Sequence, residues 1–254
     1  MLRIENIKKS FGGIMAIAGI NFNIDAGSIT SIIGPNGAGK TTLINLITGI
    51  YKCDNGKIFF KDIEITNLPP HKIVKYKIIR TFQNLQVFAN MTVLENVMIG
   101  MHSITKYEFI NCILHLPKVK KQDKMIKERS FELLKFFGLE NKANFKASAL
   151  PYGEQKKLEL ARALSAQPEL LLLDEPVAGL NLTESQEVSK LLLRLKNEFN
   201  ITIVLIEHNM NIVMDLSDKI IVLHYGKKIA EGTPEEIQNN PTVIKAYLGG
   251  SCIA

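Results

Sequence analysis

The sequence predicts an α/β fold in which helices cover both faces of a mainly parallel β-sheet. Short apolar runs recur along the chain and alternate with longer segments of helical periodicity, a pattern typical of parallel sheets buried on both faces. The clearest run is "LLLLD", residues 170–174. Successive leucines point to opposite faces of an extended strand, so this run requires apolar surroundings on both sides.

Length and composition are consistent with one large α/β domain. The chain has 254 residues, of which 46% are hydrophobic and 22% charged, as in an ordinary globular protein. No apolar run approaches the ~18 residues that a membrane-spanning helix needs. The opening "MLRIENIKKS" lacks the apolar segment of a secretion signal. We expect a cytoplasmic protein that reaches a membrane only through a partner.

The first third of the chain is predicted to consist mainly of strands. Alternating or β-branched patterns occur in "LRIENI", "INFNI", "SITSII" and "GKIFFKD", at residues 2–7, 20–24, 28–33 and 56–62. "DAG" at 25–27 is a predicted turn, and helical patterning follows "LPPHKIV". A further short strand is expected to end near "IRTFQN", residues 79–84.

The middle of the chain, about 88–165, is predicted to be a helical insertion into the sheet domain. Near its start, "TVLE" is a capping box in which Thr92 accepts from the Glu95 amide while Glu95 reaches back. Strand patterns resume in "ELLLLD", "ITIVLIEH" and "KIIVLHYG". After the first of these comes an amphipathic helix whose apolar side carries Val188, Leu191, Leu192 and Leu195. The prediction is one domain, with a core lobe at 1–87 and 166–254.

The net charge of +6 raises the question of a nucleic-acid or membrane-surface partner. The densest basic cluster is "KVKKQDKMIKER", residues 118–129, with six basic and two acidic side chains. No aromatic residue interleaves with these lysines, so bases would have no stacking platform. A solvated helix face is the favoured interpretation, and no nucleic-acid partner is expected.

The three cysteines, Cys53, Cys112 and Cys252, are odd in number and far apart, which fits a reducing compartment. Cys112 and His115 have a possible metal-ligand spacing. No second ligand pair accompanies them, and we interpret both as ordinary helix residues.

The stretch "GPNGAGKTT" directly follows the predicted strand "SITSII" and precedes an apolar helix. It fits the phosphate-loop pattern of glycine, four residues, glycine, lysine and serine or threonine. Its glycines let successive amides face inward as an anion nest, and Lys40 can reach the outer phosphates while the Thr41 hydroxyl ligates Mg²⁺. A mere glycine turn is the alternative. The predicted site comprises Gly34, Pro35, Asn36, Gly37, Ala38, Gly39, Lys40, Thr41 and Thr42.

Asp174 and Glu175 directly follow the four leucines, and carboxylates at the rim of such a buried strand would be costly without partners. In a phosphate-loop protein, an acid at the end of a neighbouring strand is satisfied by Mg²⁺ through a water, and we assign Asp174 to this role. Glu175 projects differently and could polarise water against the γ-phosphate. Taken without the phosphate loop, the same residues could be a strand followed by a capped helix.

Three further features would complete an ATP-hydrolysing site. Gln83, just beyond a predicted strand end, could ligate the metal and sense the γ-phosphate, although alone it is a common loop residue. His208 could hold the γ-phosphate or the attacking water, although a strand-end histidine often has a structural role. The helix predicted to begin near Gly153, in "LPYGEQ", offers a second anion site, which would serve a different nucleotide.

The order of these motifs resembles that of an ATP-binding cassette (ABC) ATPase across nearly the whole chain. "GPNGAGKT" is similar to the Walker A motif, "TFQN" to the Q-loop, "LPYGEQ" to the signature, "LLLLDE" to the Walker B motif and "EH" to the switch histidine. Phe11 matches the aromatic residue that stacks on adenine in this family; without the resemblance it reads as a core residue. The resemblance adds Leu150, Tyr152, Gly153 and Glu154 to the nucleotide-binding residues.

The resemblance implies a P-loop NTPase (RecA-like) core with an antiparallel β layer and an inserted helical subdomain. It also implies ATP and Mg²⁺ as cofactors, and a pair of ATPase subunits with ATP between one Walker A motif and the other's signature. Such subunits dock on membrane permeases that work with a substrate-binding protein, which predicts a peripheral position on the cytoplasmic face of the inner membrane.

The segments "TFQNLQVFANMTVLENVMIG", "EPVAGLN" and "VLHYGKKIAEGTPEEIQNNPTVIKAYLG" resemble the LivG-type ATPases of branched-chain amino acid importers. Two positions depart from the general ABC pattern: Pro151 replaces the signature serine and Asn181 the D-loop aspartate. Pro151 has no hydroxyl for a γ-phosphate, so activity at the site built from this signature is in question. The other interpretations are a lipid or lipopolysaccharide exporter subunit, a soluble ABC protein of translation or DNA repair, and a P-loop kinase or GTPase.

Overall fold

The computed structural model describes residues 1–101 and 117–248. Contacts between residues divide the chain into two compact units. The sheet unit comprises Met1–Arg80, Glu169–Glu175 and the chain from Leu192 onward, and the helical unit comprises Thr81–Pro168 and Pro176–Leu191. The predicted organisation, one domain with a helical insertion at about 88–165, stays a prediction. Cys112, His115 and Cys252 lie outside the described residues.

The sheet unit contains a six-stranded sheet with the strand order β10-β9-β3-β8-β7-β6. Neighbours from β9 to β6 run parallel, and β10 is antiparallel to β9, as the sequence predicts for a mainly parallel sheet. The six strands are β3 (Ile29–Ile33), β6 (Ile78–Arg80), β7 (Leu170–Asp174), β8 (Thr202–Ile206), β9 (Lys219–His224) and β10 (Lys227–Gly232).

A second sheet of four antiparallel strands, in the order β2-β1-β4-β5, confirms the antiparallel layer that the family resemblance implies. Its strands are β1 (Leu2–Phe11), β2 (Ile14–Ile24), β4 (Asn55–Phe60) and β5 (Ile63–Glu64). β4 ends earlier than predicted because Lys61 and Asp62 adopt positive φ angles of 48° and 64° and form the turn to β5.

Helices cover both faces of the six-stranded sheet. On one face, helix α1 (Lys40–Ile47) and the antiparallel sheet share a large apolar core with the parallel strands. On the other face, Val213, Ile237 and Val243 pack against β3 and β9. They belong to α7 (Met210–Leu216), α8 (Pro234–Gln238) and α9 (Pro241–Leu248). The four leucines of β7 are fully buried, as their pattern predicts.

Among the residues that the structure describes, the other α-helices are α2 (Pro70–Ile73), α3 (Val93–Met101), α4 (Pro117–Phe136), α5 (Tyr152–Ser165) and α6 (Leu182–Phe199). The predicted capping box is confirmed at the start of α3. The Glu95 amide donates to the Thr92 hydroxyl at 3.1 Å, and the Thr92 amide donates to the Glu95 carboxylate at 2.7 Å. α6 is the predicted amphipathic helix, with Val188, Leu191, Leu192 and Leu195 buried.

The basic segment from residue 118 lies in α4. From Lys121 to Arg129 its charged side chains are exposed, whereas Ile126 is buried. This distribution is that of a solvated helix face. Among the residues that the structure describes, no helix is both long and apolar enough to cross a membrane.

Candidate active site

The predicted phosphate loop connects β3 to α1 and lies within the sheet unit. At Gly34 (φ +152°) an added Cβ would lie 2.1 Å from the Leu223 carbonyl oxygen, and at Gly39 (φ +103°) it would lie 2.7 Å from the Ala16 carbonyl oxygen. Only glycine fits such close backbone approaches. Between these points Asn36 and Gly37 are exposed. The loop therefore presents backbone to solvent immediately before a helix N-terminus, the arrangement that favours an anion.

Lys40 begins α1 and turns its side chain back over the loop. Its Nζ donates to the carbonyl oxygens of Gly34 at 2.7 Å and Pro35 at 3.1 Å. Burial lowers the pKa of the Lys40 ammonium, although the nearby Glu175 and Asp174 carboxylates act in the opposite direction. The one cation of the loop is thus close to both acids at the end of β7.

Thr41 is exposed and Thr42 partly exposed in the first turn of α1. A threonine hydroxyl and an aspartate carboxylate are hard oxygen ligands of the kind that Mg²⁺ selects, and both groups belong to the sheet unit. The donor chemistry of Thr41 and Asp174 therefore fits the predicted metal.

Asp174 is the last residue of β7 and is buried, with 3% of its side chain exposed. Its Oδ2 accepts a hydrogen bond from Arg80 Nη2 at 2.8 Å. Arg80 Nη1 donates to the Asn45 side-chain oxygen on α1. Arg80 was not among the site residues predicted from the sequence. The pattern that pointed to Asp174, a charged residue directly after apolar residues at a strand end, also occurs at Arg80 and could have identified it.

Glu175 and His208 are brought together at the carboxyl ends of β7 and β8. His208 Nδ1 lies 3.6 Å from Glu175 Oε1, with 68% of the histidine side chain and 21% of the glutamate side chain exposed. Glu175 has a positive φ of 51° and its amide donates to the Ile206 carbonyl at 2.9 Å. The expectation that His208 ends its strand as Asp174 does is wrong, because β8 ends at Ile206, opposite Asp174.

Phe11 lies at the end of β1, and its ring is 41% exposed rather than part of the core. The Tyr51 ring meets it edge-on, with centroids 5.2 Å apart, and Lys9 Nζ is 5.2 Å from the Phe11 centroid. Two neighbours thus support the ring while part of its surface stays accessible.

The C-terminal part of the sheet unit contacts the other side of the phosphate loop. The Tyr247 phenol lies near the Gly34 backbone, and burial raises the pKa of this phenol. A cavity of about 530 Å³ opens beside this contact. Its polar lining includes Asn36, His224, Tyr225, Lys245 and Tyr247.

Gln83 and the signature residues belong to the helical unit. Gln83 is exposed in the loop after β6. Three residues on, the Gln86 amide donates to the Glu159 carboxylate of α5 at 3.2 Å. The buried Asn96 amide group bonds the backbone of Phe88, so two side chains fix this loop within its unit.

The signature residues form the start of α5, as predicted. Pro151 is its N-cap residue, with φ −54° and no side-chain cap hydrogen bond. Leu150 is buried and Tyr152 is 44% exposed. The Glu154 carboxylate is paired with Lys142, its Oε1 lying 2.6 Å from Lys142 Nζ.

The signature glycine faces the helix that follows the Walker B segment. An added Cβ at Gly153 would lie 2.7 Å from Glu184 Oε1. Glu184 is itself held in a capping box: its Oε2 accepts from the Asn181 amide at 3.0 Å and its own amide donates to Asn181 Oδ1 at 2.9 Å. The unusual D-loop residue Asn181 thus serves as an N-cap, a position that asparagine and aspartate fill about equally well.

Comparison with known families and proteins gives a consistent picture. A family model described as "ABC transporter" matches residues 17–178, and one described as "Branched-chain amino acid ATP-binding cassette transporter" matches residues 227–252. The chain is 43% identical to the high-affinity branched-chain amino acid transport ATP-binding protein LivG of Escherichia coli (strain K12), over 98% of each chain. It is 41% identical to the corresponding BraF protein of Pseudomonas aeruginosa, again over 98% of each.

Solved structures show the same likeness. An ATP-binding cassette of an ABC transporter in its ADP conformation is similar with a TM-score of 0.85 and 37% identity, covering 98% of each chain. A dimeric bacterial ABC transporter cassette is similar with a TM-score of 0.77 and 27% identity, covering 92% of this chain and 99% of that one.

Proposed function

The chain belongs to the ATP-binding subunits of ABC transporters, and from this membership we propose that it hydrolyses ATP to drive import of branched-chain amino acids through a membrane permease. The observation that best supports ATPase activity is the presence of Lys40, Glu175 and His208 beside a loop bounded by two glycines. The proposed cargo is supported by the names of two relatives that match over 98% of their length, both branched-chain amino acid transport ATP-binding proteins.

In this function the loop amides and the α1 N-terminus bind the phosphates. Lys40 exchanges its two carbonyl acceptors for phosphate oxygens, which costs little because the side chain already lies over the loop. Thr41, Asp174 and Gln83 would hold Mg²⁺, which supplies charge neutralisation at the outer phosphates. Phe11 would stack on the adenine ring.

Glu175 acts as the general base. Its carboxylate accepts a proton from the water that attacks the γ-phosphate, and the nearby His208 imidazole orients that water or the phosphate. The positive φ of Glu175 turns its side chain away from the direction taken by Asp174, which separates the base from the metal ligand.

The second nucleotide would lie between two cassettes. Leu150, Tyr152, Gly153 and Glu154 would face ATP on a second ATPase subunit, identical or different, in line with the dimeric cassette that the chain resembles. The pair would dock on permease subunits at the cytoplasmic face of the inner membrane, and a substrate-binding protein would deliver the cargo. No nucleic-acid partner is part of this proposal.

The test is isolation of the native complex with an affinity tag on this chain, followed by identification of the subunits by mass. We expect permease subunits, and uptake of labelled leucine that depends on the chain. Glu175→Gln is the matched variant: it should assemble normally but lower turnover by ~10²–10⁴-fold, the usual size of a general-base effect.

Four results would contradict the proposal. Co-purification with ribosomes or DNA would favour a soluble ABC protein, and co-purification with lipid-export subunits would change the cargo. Parental ATPase rates in Glu175→Gln would move the base elsewhere. Membrane sedimentation of the chain without any permease would favour direct lipid binding by the basic segment 118–129.

A further inference from the structure

Arg80 joins two parts of the phosphate site that are far apart in sequence. Its Nη2 donates to Asp174 Oδ2 at 2.8 Å, and its Nη1 donates to the side-chain oxygen of Asn45. Asn45 lies on α1, the helix that begins with Lys40. Only 8% of the Arg80 side chain and 3% of the Asp174 side chain are exposed, so this is a buried ion pair rather than a surface contact.

The sheet register explains how Arg80 reaches the aspartate. β6 and β7 are parallel, and Arg80, the last residue of β6, pairs with Leu172. Asp174 lies two residues further along β7, at its end. The arginine must therefore extend forward along the sheet edge, and the Asn45 oxygen holds the other arm of its guanidinium in that direction.

The contact holds one carboxylate oxygen of Asp174 and so restricts the orientation of the carboxylate. A guanidinium suits this task because it is planar, permanently charged and able to donate in two directions at fixed geometry. A lysine ammonium would keep the charge but could not reproduce the fork between Asn45 and Asp174. Carboxylates that bind metals are commonly oriented by such partners, and loss of the partner typically lowers metal affinity by ~10–100-fold.

We propose that Arg80 is a positioning residue that orients the Asp174 carboxylate toward Mg²⁺, with Asn45 as its anchor on α1. The proposal rests on the proposed function, because it assumes that Asp174 takes part in metal binding. It assigns Arg80 no contact with the nucleotide.

The test measures binding of a non-hydrolysable ATP analogue to the purified full chain, in EDTA and across a Mg²⁺ titration. The variants are Arg80→Gln and Arg80→Lys. We expect the Mg²⁺ concentration for half-maximal enhancement of binding to rise by ~10–100-fold in Arg80→Gln and by less in Arg80→Lys. Binding in EDTA should stay within about threefold of the parent, since Arg80 does not touch nucleotide. Arg194→Gln, which breaks an exposed pair with Glu198, is the control and should change neither value.

An unchanged Mg²⁺ response in both Arg80 variants would overturn the inference. So would an equal loss of binding with and without Mg²⁺, because a merely structural role lowers both alike. If Arg80→Gln fails to fold, Arg80→Lys provides the test: a raised Mg²⁺ requirement supports the inference, and an unchanged one overturns it. A parent chain whose binding ignores Mg²⁺ would instead remove the metal from the proposed function, and the inference with it.

Discussion

Lys156, near the start of α5, forms a buried ion pair whose removal should have a large and pH-dependent effect on stability. Its Nζ lies 4.0 Å from Glu159 Oε2, and the two side chains are 2% and 5% exposed. Unit charges at this distance interact by ~4 kcal/mol at an effective dielectric constant of 20. Lys156→Met should therefore lower the free energy of unfolding by about 3–5 kcal/mol at pH 8, the usual cost of leaving one buried partner alone.

The pH dependence identifies the carboxylate as the cause. Burial raises the pKa of Glu159, opposed by the Lys156 and Arg162 charges and by the Gln86 amide. Removing Lys156 raises this pKa further. A carboxyl whose folded pKa lies above its unfolded pKa destabilises the fold when it is ionised. The loss of unfolding free energy in Lys156→Met should thus be largest above the pKa of Glu159 in the folded state. It should shrink as the pH falls through that pKa. Below the pKa of the unfolded state its electrostatic part should be absent.

Urea unfolding from pH 4 to pH 8 measures this effect. The double variant Lys156→Met/Glu159→Gln should be at least as stable as the parent at pH 8, because an apolar replacement of a buried pair is commonly neutral or stabilising by about 1–4 kcal/mol. Lys135→Met breaks an exposed pair of the same spacing with Glu132 and should cost less than about 1 kcal/mol. A deficit that does not vary with pH, or a double variant as unstable as the single one, would refute the reasoning.

Three further variants test the phosphate loop and the signature. Lys40→Ala should lower ATP affinity by ~10–100-fold or more in calorimetry, since at least one charge-assisted hydrogen bond to phosphate is lost, and unchanged affinity would remove the phosphate-loop assignment. Pro151→Ser should raise turnover at the site facing this signature by ~10–100-fold, measured with Lys40→Ala silencing the other site; equal rates would show that the Gly153 amide suffices. Tyr247→Phe should weaken nucleotide binding by ~2–10-fold by removing the polar hydroxyl next to the Gly34 backbone, whereas Tyr225→Phe, at a residue that is 78% exposed, should leave binding unchanged.

The features that were predicted well from the sequence are those determined by residues close together in the chain. The leucines of β7, the apolar side of α6 and the capping box at Thr92 are all local patterns, and the structure confirms each of them. The phosphate loop was recognisable because its glycines, lysine and threonine all lie within the short segment 34–41. Local patterns specify which element forms, because periodicity and capping act within a few residues.

The features that the sequence did not reveal depend on residues brought together by the fold. Arg80 and Asp174 are 94 positions apart, and no local pattern links them. Lys156 looks like an exposed helix residue, yet only 2% of its side chain is exposed, because it is buried together with the Glu159 carboxylate. Phe11 is 41% exposed, although without the family resemblance it reads as a core residue; only the resemblance predicted its role in stacking on adenine. The end of β8 was misplaced because Glu207 and His208 were counted with the strand, although its apolar run and its pairing both end at Ile206.

The position of β3 in the sheet has a consequence for synthesis of the chain on the ribosome. This strand leads into the phosphate loop, but its two neighbours, β8 and β9, begin only at Thr202 and Lys219. At ~5–20 residues per second, β3 would leave the ribosome roughly ten to thirty seconds before either neighbour exists. During this interval α1 and the antiparallel sheet can cover one face of β3, whereas the other face and both strand edges lack their native partners. A nucleotide can therefore act as a folding ligand only after the nascent chain has extended past β9.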